Sequence, residues 1–200
     1  MFIQVIEGRT SDPEAVHRRL EVWERELMPG AIGYLGSTGG CTDDGSCILI
    51  ARFESTDAAQ ANSDRPEQSA WWEETAKCFD GPVRFHDTEH VMVMDHGDMS
   101  SARFVQVMEG HVADRERAER MERESDQFLA TARPDLLGSI TAYFDGDEFC
   151  EVAYFTSEEE ARRMEQQMPD GDAADMFQEF QEVMRVDQYL DIRQPWMTTA

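Results

Sequence analysis

Positive charge is what this sequence has least of. Lys77 is its only lysine, and Lys and Arg together number 18 against 42 Asp and Glu, a formal net charge of -24. Such a chain repels phosphate backbones and anionic membrane surfaces at long range, which argues against nucleic acid or a membrane as partner. Long apolar runs are missing too. Nothing approaches the ~18 residues that span a bilayer, and the opening Met1-Phe2-Ile3-Gln4-Val5-Ile6-Glu7 lacks the basic lead-in of a secretory signal. A cytoplasmic location is therefore expected. Cysteine is scarce, with four residues and no CxxC pair; Cys41 and Cys47 flank a turn and could face each other, but reduced thiols are the expectation. Gly36-Ser37-Thr38-Gly39-Gly40 has no following Lys, so no phosphate loop is present, and a Gly-x-Ser-x-Gly nucleophile elbow is absent. Acidity alone could mean disorder, but 40% hydrophobic and 10% aromatic content supplies a core.

What is present is an internal repeat, and it changes the reading of everything else. Phe2-Ile3-Gln4-Val5-Ile6-Glu7-Gly8 returns 102 residues later as Phe104-Val105-Gln106-Val107-Met108-Glu109-Gly110. The same offset aligns Leu35-Gly36-Ser37 with Leu137-Gly138-Ser139, and Ala51-Arg52-Phe53-Glu54-Ser55 with Ala153-Tyr154-Phe155-Thr156-Ser157. Late in each half it becomes 104, Phe85-His86-Asp87 standing opposite Tyr189-Leu190-Asp191. The first repeat is assigned to residues 1–95, a linker to 96–103 and the second repeat to 104–200.

Each half reads as strand, helix, strand, strand, helix, strand. In the first, an apolar strand over 2–8 precedes Ser11-Asp12-Pro13-Glu14, a helix start with Pro just inside and a Ser/Glu capping box. Val16, Leu20, Trp23 and Leu27 form one apolar stripe, and Pro29-Gly30 ends it. A hairpin turns at Asp43-Asp44-Gly45. Ser55 or Thr56 caps a second helix running to about Phe79, interrupted over Asn62 to Pro66, and Val83 to Met94 is the fourth strand. The second half repeats this, with strand 104–112, helix 114–132, a hairpin through Asp145-Gly146-Asp147, a helical region opened by Ser157 and broken near Pro169-Asp170-Gly171, and a last strand at 186–194. The fold class is α+β: duplicated ferredoxin-like βαββαβ repeats. Both faces of the first strand carry apolar residues, so each sheet needs cover on the side away from its helices. The expected arrangement is an intrachain pseudo-dimeric α/β barrel, with further pairing of two chains left open.

The repeated Phe-(Ile/Val)-Gln-Val-x-Glu-Gly strand and the Ala-(Arg/Tyr)-Phe-(Glu/Thr)-Ser stretch leading into the second helix resemble the antibiotic biosynthesis monooxygenase family of dimeric α/β barrels, once per half. The resemblance implies a pocket between sheet and helices in each half. It also implies chemistry of one of several kinds: cofactor-free oxygenation of polycyclic aromatic compounds, haem degradation, or no assigned activity. The haem-degrading branch carries Asn on the first strand, Trp on the second helix and His about nine residues later. Here Gln4 and Gln106 replace that Asn, Asn62 and Met164 fall near the Trp, and Trp71 or Trp72 falls near the His, so neither half offers an imidazole ligand.

Cofactor-free oxygenation requires a dry pocket, a proton acceptor, and donors for the resulting anion. The expected catalytic residues are Gln4, a pocket-facing amide, and His86, a proton acceptor. Trp71, Trp72, Phe2 and Gln106 are expected to bind a small hydrophobic ligand, without metal or other cofactor. His86 and His90 on one strand would lie about 13 Å apart, too far to share an ion. Glu7 and Glu109, beside Gly8 and Gly110, read as solvated rim residues. Two functions remain: a cofactor-independent monooxygenase acting on an aromatic or polyketide-type molecule, and a non-catalytic ligand-binding or stress-associated barrel. The aromatic and imidazole groups Trp71, Trp72 and His86 have no counterpart at Ala173, Met176 or Leu190, which points to the first half as the working one.

Overall fold

The structure is a computed structural model and describes residues 1–167 and 172–199. In chain order the elements are β1 (Phe2–Arg9), α1 (Pro13–Glu26), β2 (Tyr34–Cys41), β3 (Ser46–Phe53), α2 (Thr56–Ser63), α3 (Pro66–Ala76), β4 (Arg84–Thr88), β5 (Val91–Asp95), β6 (Phe104–Val112), α4 (Arg115–Ala132), β7 (Leu136–Tyr143), β8 (Glu148–Phe155), α5 (Glu158–Glu165), α6 (Asp172–Val183), β9 (Met184–Ile192) and β10 (Trp196–Thr199). They form two compact units: Met1–Glu89 with the C-terminal stretch from Gln194, and His90–Arg193. The break expected at Pro169-Asp170-Gly171 lies outside the described residues.

Local chemistry accounts for the helix starts. Asp12, not Ser11, caps α1, its carboxylate accepting from Ala15 N at 3.0 Å with Pro13 at the first turn; Asp114 caps α4 in the same way. Ser11 instead donates to Asp80. Ser55 and Ser157 cap α2 and α5 through Ala58 N and Glu160 N. Each such cap satisfies an orphan amide and contributes about 1 kcal/mol. Between α2 and α3 the chain turns at Arg65, which is held extended because Pro66 follows.

Each unit is an antiparallel five-stranded sheet, in the orders β10-β2-β3-β1-β4 and β5-β7-β8-β6-β9. Four strands of each, β2-β3-β1-β4 and β7-β8-β6-β9, follow the ferredoxin-like plan. The fifth strand was not foreseen: the single strand expected over Val83 to Met94 is two, β4 pairing with β1 in the first sheet and β5 with β7 in the second. The final stretch divides likewise, β9 pairing with β6 and β10 with β2. Without these additions β2 and β7 would be bare edges with unmatched amides. The repeat extends to detail. Register shifts occur between Tyr34 and Gly36 and again between Leu136 and Gly138, where the glycines take φ of 132° and 154°, a region that side chains disfavour.

In the first unit the core facing the helices is Phe2, Trp23, Leu27, Tyr34, Phe53, Ala59 and Trp71, joined by a second cluster of Val16, Cys47 and Phe79. In the second unit Ala118, Tyr143, Phe149, Val183 and Met184 gather beside α4 and α6, and Phe104, Leu136, Phe155 and Ala161 beside α5. Cys41 and Cys47, expected to be reduced, are joined by a disulfide. They stand directly opposite in the β2–β3 register, so that the hairpin itself brings the two side chains together. Among the described residues no helix is long and apolar enough to cross a membrane.

Candidate active site

Strand register sorts the residues nominated from sequence. Gln4 lies opposite Asp87, and Val5 opposite His86, so Gln4 and His86 point to opposite faces of the sheet. The structure does not bring them together. Gln4 Nε2 donates to Asp87 Oδ1 at 3.1 Å, and the repeat reproduces the bond, Gln106 Nε2 donating to Asp191 Oδ1 at 2.9 Å. Asp191 also accepts from Arg162. Phe2 is buried among Trp23, Tyr34, Phe53 and Trp71. The Trp71 indole donates to Arg19 O at 2.8 Å and lies under the Arg19 guanidinium. Trp72 packs edge-on against Phe85 at 5.1 Å and tilts over Phe79. On the other face His86 Nε2 is 3.8 Å from Glu7. Glu7 is 9% exposed and paired with Arg84 at 2.8 Å, a buried ion-paired group and not the solvated rim residue expected.

A cleft opens elsewhere on the helix side of the first sheet. Leu20, Trp23 and Glu24 of α1 are spaced so as to share one helix face. They look onto Ser37 and Gly39 of β2, Leu49 of β3, and Trp196 and Thr198 of β10, around a narrow cleft whose enclosed space is about 10 Å³, room for about one water molecule, the rest being open to solvent. Register explains the grouping, since Ser37 faces Thr198, and Gly39 faces both Leu49 and Trp196. A Cβ on Gly39 would sit 2.3 Å from Leu49 Cδ2, so glycine leaves Leu49 room over that strand. Trp196 stacks flat on His17, centroids 4.7 Å apart and planes within 5°. Trp23 is fixed by donating to Gln68 Oε1 at 2.7 Å and by its edge contact with Tyr34.

One end of the cleft is polar. Thr198 Oγ1 donates to Glu24 Oε1. Beside them the Tyr34 hydroxyl is buried without completing a hydrogen bond of good geometry, although the Ser37 and Thr198 hydroxyls adjoin it. Burial pushes Tyr34 up to about 12, Glu24 adding to the rise while Ser37, Arg52 and Thr198 oppose it. The Arg52 Nε is likewise buried and unmatched; its guanidinium approaches through the side-chain-free bulge, where a Cβ on Gly36 would meet Nη2 at 2.6 Å. A buried hydroxyl without a partner is uncommon. It remains a protonated donor, oriented by the packing of its ring.

Tyr34, Glu24 and Trp196 were not among the residues nominated from sequence. Tyr34 could have been found by the contrast with its repeat counterpart Leu136. Trp196 lies in β10, beyond any strand that the repeat alignment identified.

Fold and cleft together define an α+β protein of duplicated ferredoxin-like units with an aromatic, polar-ended cleft in the first. No protein-family model and no curated protein sequence matches the chain. Solved structures do. It is similar to a candidate monooxygenase from Lactobacillus acidophilus NCFM, with TM-score 0.74 and 13% identity over 99% of this chain and 96% of that one. A second candidate monooxygenase, from Fusobacterium nucleatum, superimposes with TM-score 0.77 and 7% identity over 99% and 94%. An anthrone oxidase-like protein gives 0.67 and 11% over 100% and 91%. At these identities the likeness establishes the fold, and the fold is the one that the resemblance to the antibiotic biosynthesis monooxygenase family implied.

Proposed function

We propose that the first unit is a monooxygenase-like site that oxygenates a small hydroxylated aromatic molecule with O₂ and needs no metal or flavin. The observation that carries this reading is the buried, unmatched Tyr34 hydroxyl just behind Ser37 and Thr198, which line the polar end of a cleft walled by Trp23 and Trp196. The enclosed space is about 10 Å³, room for about one water molecule, so in this reading a ring enters at the open mouth and the cleft walls give way to admit it. The names of the full-length structural neighbours support the same reaction class.

Each residue has a physical role. The indoles of Trp23 and Trp196 exclude water and hold the ring plane. Glu24 accepts the proton of the substrate hydroxyl, and Tyr34 and Ser37 donate to the oxyanion left behind. Tyr34 can do so because its raised pKa keeps it protonated at neutral pH. The electron-rich anion then reacts with O₂: an activated CH₂ becomes C=O, one oxygen atom stays on carbon, and the other leaves as water. All four electrons come from the substrate. In this reading Gln4 and Gln106 are cross-strand clamps, Phe2, Trp71 and Trp72 form the framework behind the cleft, and His86 takes no part.

The test is oxygen uptake by metal-stripped, flavin-free protein with naphthol-type and anthrone-type substrates. Turnover is expected, falling about 100-fold or more in Tyr34→Phe, the range seen for loss of one oxyanion donor. Binding without oxygen uptake supports a ligand-binding barrel instead. Equal turnover in wild type, Tyr34→Phe and Glu24→Gln overturns the residue roles.

A further inference from the structure

The second unit answers the cleft residue by residue. At the 102 offset, Leu20 and Leu49 become Glu122 and Glu151, Gly39 becomes Thr141, Cys41 becomes Tyr143, and Ser37 remains Ser139. Met92 and Met94 of β5 face Thr141 and Ser139, as Trp196 and Thr198 face Gly39 and Ser37. Two apolar residues of the lining have thus become carboxyl groups, on corresponding elements: α4 for α1 and β8 for β3.

These two carboxyl groups converge. Tyr143 Oη donates to Glu122 Oε1 at 2.7 Å. Thr141 lies two residues before Tyr143 on β7 and directly opposite Glu151 on β8, so all three side chains leave the same sheet face. Tyr143 is fully buried and Glu151 is 9% exposed. The Thr141 hydroxyl supports Glu122 and the Ser139 hydroxyl supports Glu151. A carboxylate buried on this face, with the half-buried Glu122 carboxyl of α4 beside it, resists ionisation unless a cation lies between them.

Among the described residues the surrounding charges do not supply one. On α4, Glu119 adds negative charge, and Arg123, which draws Glu122 down, is shared with Glu119 at 3.6 Å and is largely exposed. Arg115 lies 5.7 Å above the Tyr143 ring and donates to Phe144 O. From α6 come Phe180 and Val183, while Glu179 and Glu182 of that helix are held by Arg117. β5 and β6 present Met92 and Met108. β9 presents Met184 and Tyr189, the latter itself pushed up by burial and by Glu165 and Glu151.

We infer that the second unit contains a proton-binding site in which Glu151, with the Glu122 carboxyl beside it, holds one buried proton, occupying the place where the first unit has its cleft. Burial, with Glu122 beside it, pushes Glu151 up to about 8, and burial raises Glu122 as well. The sign follows. A carboxyl raised in the folded state binds its proton there and not in the unfolded chain between about pH 4.5 and 8. Its contribution to stability is complete below the unfolded value and is lost as pH rises through the folded one. One linked proton corresponds to about a tenfold fall in the folding equilibrium constant per pH unit across that window. The second unit is therefore a fold that loosens with alkali, in a chain whose other carboxylates are mostly exposed.

Carbon-13 NMR of glutamate-labelled full-length protein, with urea unfolding from pH 5.5 to 8.5 at constant ionic strength, tests the site. In wild type, one glutamate carboxyl signal is expected to titrate well above the ordinary carboxylate range and to disappear in Glu151→Gln. The unfolding constant of wild type is expected to rise about tenfold per pH unit relative to that variant. If Glu151→Gln fails to fold, Glu122→Leu with Glu151→Leu restores the first unit's own residues and serves the same comparison. No high-titrating glutamate in wild type overturns the proposal, as do parallel pH profiles for wild type and variant.

Discussion

The two units share a strand order, helix caps, a glycine bulge and a Gln–Asp clamp, yet differ at the two positions that flank the space between first helix and sheet. In the first unit they are Leu20 and Leu49, lining an open cleft with two indoles. In the second they are Glu122 and Glu151, hydrogen-bonded to Tyr143 and to Ser139 and Thr141. The framework carries either filling because the backbone pairing at Leu49 and at Glu151, to Gly39 and Ile6 and to Thr141 and Met108, is the same in both sheets. Duplication lets one copy keep a cleft while the other fills it.

The severest way to break this contrast is to carry the second unit's pair into the first. Leu20→Glu with Leu49→Glu places two carboxyls where Gly39 and Cys41 stand instead of Thr141 and Tyr143, so the hydroxyl donors are missing. Destabilisation of more than about 3 kcal/mol is expected, read from urea unfolding at pH 7. A loss under about 1 kcal/mol would show that the donors of the second unit are dispensable.

A smaller effect separates the units by covalent structure. The Cys41–Cys47 bridge closes a short hairpin loop in the first unit, and the equivalent Tyr143 and Phe149 pair without a bond. Loop-closure entropy for so short a loop gives about 2 kcal/mol. Reducing the bridge should weaken protection of β2 and β3 amides in hydrogen exchange and leave β7 and β8 unchanged. Equal loss in both hairpins would mean that the bridge does not act locally.

How much of this was legible in sequence follows from which forces set it. The repeat, the caps and the hairpins are local patterns, so Ser55, Ser157 and Asp43-Asp44-Gly45 announce themselves. The division of Val83 to Met94 into β4 and β5 does not, because no Gly or Pro marks Glu89-His90 and the pairing that separates them is long-range. The grouping of site residues was hard to read for a related reason. Gln4 and His86 are each plausible alone, and only strand register reveals that they face opposite sides. The informative signal was the paired change of Leu20 and Leu49 to glutamate, which points to a face without naming its chemistry.

The finest comparison is between two tyrosine hydroxyls. Tyr143 donates to Glu122, so Tyr143→Phe leaves a buried carboxyl short of a donor, with an expected loss of about 1–3 kcal/mol. That loss grows as pH rises, because the ionised carboxylate needs the donor more than the acid does. Tyr34 has no completed bond to lose, and its phenol is desolvated in the folded state, so Tyr34→Phe should change stability by less than about 0.5 kcal/mol or raise it slightly. Urea unfolding of the two variants at pH 6 and pH 8 checks both statements. A large loss in Tyr34→Phe would mean that its hydroxyl is held by the fold, and its place as a donor waiting for a ligand would be lost. A small loss with reduced oxygen uptake in the same variant would mark it as a group kept for binding, at a position where the second unit has only Leu136.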